Sequence, residues 1–293
     1  MTSIFLQLLV NGLVAGSIYA LVAAGFSLIY STNKFVHFAH GGVIVLSSYF
    51  LYWISTTLGL DFYISSFLTI LFATFLGYSL NKVLYQKFRA KKASNSVLLV
   101  ASVAILILLQ SLSLLIFGAD VKTIALPLSN HSMNIGGVFV TPVQVIIVII
   151  SLFLFFSLRL LMQKTKIGKA MRAVADNNEV AEILGISSER VYSTSFAIGS
   201  AIVGVAAILV SLEQNITPLM GTSLIIKGFT GSVIGGIGSV TGAIVGSLFL
   251  GLAENFGTWF VSAGFKDAIA FILLFIFLLI KPQGLFGNKN NQK

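Results

Sequence analysis

Uncharged stretches alternate with short charged clusters along the whole chain. No Asp, Glu, Lys or Arg occurs in residues 1–33, 35–60, 62–81, 93–119, 123–158, 191–212 or 228–253, and a shorter apolar run precedes Lys281. The hydrocarbon core of a bilayer is about 30 Å thick and takes roughly 20 apolar residues of helix to cross. The short alternating segments of a membrane barrel, about ten residues each, do not appear. The pattern therefore predicts an all-α, polytopic transmembrane helical bundle, with spans near 4–30, 35–54, 63–83, 97–117, 142–162, 191–212 and 266–280. Pro142 opens its span at the position where a missing N–H costs least.

Between the spans, residues 118–140, with Pro127, His131, Gly136 and Gly137, read as an external loop. Residues 221–257, GTSLIIKGFTGSVIGGIGSVTGAIVGSLFLGLAENFG, are harder to place. Span 191–212 should exit outward, and the last helix should deliver Lys281 inward. Parity then requires a hairpin broken within 235–242, either re-entrant or built as two half-helices. A broken backbone at membrane depth survives only against protein or a water-filled cavity, so the break should face the bundle interior. The sum is about eight spans plus this glycine-rich hairpin, in a single transmembrane domain over 1–293 with its N-terminus outside. Gly231, Gly235, Gly238, Gly242 and Gly246 repeat at three- or four-residue spacing, with Gly12 and Gly16 as a second pair. Such spacing lets helices approach closely, and packing is the first expectation.

Composition narrows the class. Charged residues are 9% and hydrophobic residues 57%, with mean hydropathy +0.99; soluble domains carry about 25% charged residues. The absence of cysteine excludes disulfides, thiol chemistry and Cys-ligated metals. The opening MTSIFLQLLVNG lacks a basic region and a small-residue cleavage site, so a retained span is expected rather than a cleaved signal. The net charge of +9 does not imply a nucleic-acid partner, because the basic residues follow the spans. They gather as Lys82, Lys87, Arg89, Lys91 and Lys92, then Arg159, Lys164, Lys166, Lys169, Arg172 and Arg190, then Lys281, Lys289 and Lys293. The positive-inside rule puts all three clusters in the cytoplasm. The first and third need no role beyond orientation and contact with anionic lipid.

The middle cluster is different. Residues 164–190 include GKAMRAVADNNEVAEILGISSER, patterned as two short amphipathic helices between spans. Met171, Val174 and Ala175 share a face that Val180, Ala181 and Leu184 continue. Asp176 and Glu179 have capping-box spacing. Gly185 suits a C-terminal cap, and Ser187 or Ser188 can cap the next span. A compact, polar, rigid patch between spans is where a partner would push. Arg172, Asp176 and Glu179 are its expected contact residues, pairing charges around an apolar core of Met171, Val174 and Ala181. A solvated loop lying on lipid is the plainer alternative.

Other polar residues are candidates for a solute path: Asn11, Tyr19, His40 and Lys227, with Gly235, Gly236, Gly238 and Gly242 at the break. His37 and His40 are spaced to share a helix face, but without further ligands no metal site is expected. Hydrogen bonding between helices is the first expectation for His40, and Asn11, Asn33 and Tyr19 could equally pack. Lys227 and Glu254 flank the glycine hairpin and are expected to snorkel to the interface.

Four segments resemble the bacterial branched-chain amino acid ABC transporter permeases, the shorter permease subunit type. In the cytoplasmic segment the matching positions are Gly168, Lys169, Ala170, Arg172 and Ala173, then Ala181, Leu184, Gly185 and Ile186. NGLVAGSIYALVAAGFSLIY (11–30) is similar to the family's first span. VHFAHGG (36–42) is similar to its Asn-Phe-Ala-His-Gly signature, with His37 in place of the usual Asn. GFTGSVIGGIGSVTGAIVGSLFLGLAE (228–254) is similar to its glycine motif. The resemblance implies a permease subunit of a binding-protein-dependent importer for branched-chain or related amino acids, in the bacterial inner membrane. It implies a second homologous permease subunit, two cytosolic ATPases that bind ATP and Mg, and an extracytoplasmic solute-binding protein. The chain lacks GxxxxGK[ST], so no nucleotide cofactor is expected on it. An ion-coupled carrier for a small organic solute would need a carboxylate relay at membrane depth, and the acidic residues sit at span ends or in loops. An intramembrane enzyme would need a motif such as HExxH or GxSxG, and neither occurs.

Overall fold

A computed structural model describes residues 2–124 and 132–286. Pro127, His131, Lys289 and Lys293 lie outside the described residues. The helices are α1 (Thr2–Asn33), α2 (Ala39–Tyr52), α3 (Phe62–Leu80), α4 (Gln86–Ala90), α5 (Asn95–Phe117), α6 (Pro142–Lys164), α7 (Lys166–Asp176), α8 (Asn178–Ile183), α9 (Ser188–Glu213), α10 (Met220–Gly235), α11 (Val240–Gly257) and α12 (Lys266–Ile280). Strands β1 (Met133–Ile135) and β2 (Val138–Val140) form a small antiparallel hairpin in the external segment. Wide helical turns at Trp53–Thr57 and Asn81–Tyr85 extend α2 and join α3 to α4. Among the described residues, seven helical segments are long and apolar enough to cross a membrane.

Local chemistry explains the helix starts. Asp61 accepts from the Tyr63 and Ile64 amides ahead of α3, and Ser94 from Val97 ahead of α5. Thr141 and Gln144 form a reciprocal capping box at α6, with Pro142 in its first turn. Thr165 donates to the Leu161 carbonyl and accepts from the Gly168 amide, so one side chain both closes α6 and opens α7.

α1 is the axis of the bundle. Nearly every residue after Gly12 is buried, and the helix packs against α9, α10 and α11. By contrast α3, α5, α6 and α12 turn large apolar side chains outward, among them Phe67, Phe75, Leu115, Phe153 and Phe275. A core wrapped by helices whose outer faces are apolar is the arrangement a lipid solvent selects.

Contacts mark the two ends of the bundle. At one, Gln7 exchanges hydrogen bonds with the Phe139 backbone, and Lys122 bridges to Ile216. At the other lie Arg89 with Glu189, Lys34 with Asn95 and the α10–α11 turn with Tyr30. Among the described residues, the members of the basic clusters gather at this second end, as the alternation of spans predicts.

Two expectations are corrected. First, the glycine hairpin breaks within 235–242 as expected, but at the basic end of the bundle rather than in its interior. α10 and α11 meet at 236–239, beside Tyr30 and the Leu285–Phe286 backbone at the basic end. The amides of Leu285 and Phe286 donate to the Ile234 and Gly235 carbonyls at 2.8 and 2.9 Å, satisfying the exposed end of α10. Second, a further stretch of broken backbone lies in 34–38, of which the sequence pattern assigns 35–38 to a helix. Lys34 meets Asn95 at the start of α5, Phe38 meets Ser102 two turns further in, and Gly42 packs on Leu109. The chain thus climbs into the bundle as irregular backbone before α2 begins. His37 consequently precedes the helix that carries His40, so the two share no helix face. Phe35 and His37 are buried in protein and Val36 and Phe38 half-buried, which meets the condition for irregular structure at this depth.

Candidate functional site

At the basic end, α7 and α8 form a bracket between α6 and α9. Met171, Val174 and Ala181 are buried against the bundle. They anchor the bracket to the bundle, with its charged residues arranged around them. Gly168 is required where α7 leaves α6, since a Cβ there would overlap the Leu161 and Met162 carbonyls. Lys169, Arg172, Asp176, Glu179 and Glu182 face outward, Ala173 and Ile186 are half-buried, and Ile183 and Leu184 project 83% and 73% exposed.

The α8 cap differs from the expected one. Asp176 ends α7, and Asn177 caps α8 by accepting from the Val180 amide at 3.1 Å. Glu179 therefore falls one position short of the capping-box site. At the other end Gly185 adopts φ +84°. Its amide donates to Glu182 at 2.9 Å and the Ile186 amide to Ala181 at 2.9 Å, the paired bonds of a glycine-terminated helix. Ser187 holds the cap position of α9 without a side-chain bond, while the Ser188 hydroxyl donates to Asn178 Oδ1, tying α9 back to α8.

Beside the bracket sits a cluster that the sequence pattern assigns only to orientation. Arg89 donates to both Glu189 oxygens at 2.8 Å and to Asn81 Oδ1 at 2.8 Å. Its guanidinium lies 4.8 Å from the centre of the Tyr192 ring. Asn81 Nδ2 donates to Ser193 at 3.0 Å, and Asn33 Nδ2 to Ser195 at 3.1 Å. The wide turn at Asn81–Tyr85 is the local irregularity on this helix. Wide turns of this kind are frequent at functional positions, but a period-3.6 pattern does not announce them.

The candidate path residues fall in separate places. Asn11 pairs with Gln7 near the outer end. Gly235, Gly236, Gly238 and Gly242 cluster at the α10–α11 turn, where Gly236 and Gly238 have φ of 112° and 90° and the Gly235 and Gly242 backbones touch. His40 stands against Gly25, and neither ring nitrogen has a hydrogen-bond partner; the expected bond between helices is not formed. His37 instead meets the Tyr85 hydroxyl at 3.0 Å. Tyr19 and Lys227 do come together, around Glu254. Lys227 Nζ lies 3.3 Å from Glu254 and 2.9 Å from Asp267, and the Tyr19 hydroxyl donates to Glu254 at 2.9 Å. Glu254 is fully buried and Lys227 nearly so. The expectation that both snorkel is overturned: each finds a partner inside the bundle, which offsets the cost of removing it from water. Among the described residues no group of three or more His, Cys, Asp or Glu side chains is placed to hold a metal ion.

Known proteins share this architecture. The chain is 35% identical over 306 residues to the high-affinity branched-chain amino acid transport system permease protein BraD of Pseudomonas aeruginosa, covering 99% of this chain and 98% of that protein. It is 33% identical to the corresponding protein LivH of Escherichia coli, covering 99% and 97%. A probable LivH of Methanocaldococcus jannaschii is 29% identical, covering 96% and 92%. The solved structure of PsaBC from Streptococcus pneumoniae in complex with Fab has a similar fold, with a TM-score of 0.50 at 16% identity over 96% of this chain and 94% of that one. A family model described as branched-chain amino acid transport system / permease component matches residues 8–278. With full-length relatives at this identity and a family match across nearly all its spans, the chain belongs to that permease family.

Proposed function

We propose that this chain carries branched-chain or closely related amino acids inward across the bacterial inner membrane, as one half of the membrane channel of a binding-protein-dependent importer. A second homologous permease subunit supplies the other half. An extracytoplasmic binding protein delivers the solute. Two cytosolic ATPases, holding ATP and Mg, dock on α7 and α8 and drive the transition between outward- and inward-facing states. The observation that carries this reading is the bracket: two capped helices anchored by Met171, Val174 and Ala181, with their charges and Leu184 turned to solvent at the basic end.

Ion-coupled carriage fits less well. Glu254 is a buried carboxylate, which the sequence pattern did not foresee, but it is paired with Lys227 rather than standing free for a relay. Uptake in proteoliposomes holding the chain with its ATPase, permease and binding-protein partners tests the proposal. Leucine uptake should require ATP and survive collapse of ion gradients. Gly185→Val forces a β-branched residue into left-handed backbone. It should leave the protein inserted while lowering uptake per ATP hydrolysed. Uptake that follows an ion gradient without ATP, or a Gly185→Val protein that couples normally, would contradict it.

A further inference from the structure

We infer that Arg89 and Glu189 form the joint through which movement of the α7–α8 bracket reaches the spans, making both positioning residues for transport. The inference rests on the coupling role proposed above. Glu189 stands in the first turn of α9, immediately after the bracket, and Ser188 before it is bonded to Asn178 of α8. A displacement of α8 is therefore delivered to Glu189 through that bond as well as through the short connection 184–187.

From Glu189 the connection branches. The Arg89 fork takes both carboxylate oxygens at 2.8 Å, and the same guanidinium bonds Asn81 on the wide turn after α3. It also reaches toward Asn33 at the end of α1 at 3.5 Å. Asn81 and Asn33 in turn bond Ser193 and Ser195 of α9. Three spans that share no sequence neighbourhood are thus tied at one point. The charges suit their places. Glu189 lies at the positive end of α9, and Arg89 lies in the last turn of α4, where a cation is favoured. The Arg89 side chain is 15% exposed and that of Glu189 39%, so the pair is shielded on the arginine side only. Lysine could not reproduce the fork.

The test uses the assembled complex in proteoliposomes and reads uptake per ATP hydrolysed, a ratio that mere loss of protein does not change. Arg89→Lys, Arg89→Gln and Glu189→Gln should each lower that ratio about tenfold, within the range of coupling between sites. The double variant Arg89→Gln/Glu189→Gln should be no worse than either single, because both remove the same connection. It also leaves no unpaired charge, so it serves where a single variant fails to accumulate. Wild-type ratios in these variants, or losses that multiply in the double, would overturn the joint. If Gly185→Val lowers the ratio and these variants do not, only the joint is wrong. If neither does, the coupling role of the bracket falls with it.

Discussion

Lys227 and Glu254 illustrate what burial costs at the level of one residue. Each flanks an uncharged run, and position along the chain alone assigns both to the interface. The fold instead brings Lys227 to Tyr19, 208 positions away, and to Asp267 and Glu254. Lys227→Met would leave the Glu254 charge buried without its ammonium partner, a loss of about 3–5 kcal/mol. Thermal unfolding of the detergent-purified protein should show the drop, and the double variant Lys227→Met/Glu254→Gln should recover most of it. Equal destabilisation in the two would contradict the pairing. His40 makes the complementary point. Its place against Gly25 depends on the absent Cβ of a residue on another helix, which no local pattern reveals. Arg89 was hidden for another reason: within a run of five basic residues, one that is bound inside looks like the four that are not.

Among the elements, long spans were legible because composition decides them. The segments 97–117, 142–162 and 191–212 lie within α5, α6 and α9, since uncharged length in lipid leaves few alternatives to helix. Short pieces were less so. At 235–242 glycines flank the break on both sides, so the sequence marked the turn without fixing its depth. At 35–38 a largely apolar run reads as helix, although Ser102 of another helix accepts from the Phe38 amide and donates to the Val36 carbonyl, holding that backbone out of a helix. In the bracket, Asp176 and Asn177 are both good caps, and only the geometry chooses Asn177. Asn177→Ala should therefore weaken α8 by about 1 kcal/mol, seen as faster amide hydrogen exchange over 178–183. Asp176→Ala should leave that exchange nearly unchanged. The reverse order would restore the capping box first expected.

At the scale of the whole molecule, the buried axis of α1, the apolar outer helices and the gathering of positive charge at one end are one solution to a single constraint. Lipid leaves no water to satisfy backbone groups, so the bundle must satisfy them itself and keep its charges at the ends or paired. The bracket is the structured polar feature at the basic end, and the importer reading stands on a motor gripping it. Because the chain has no cysteine, one introduced at Leu184, which is 73% exposed, gives a unique reactive site. A short cysteine-directed cross-linker at that position in the assembled transporter should capture the ATPase subunit, with a yield that changes when nucleotide is bound. Capture of lipid alone, or a yield indifferent to nucleotide, would contradict the account.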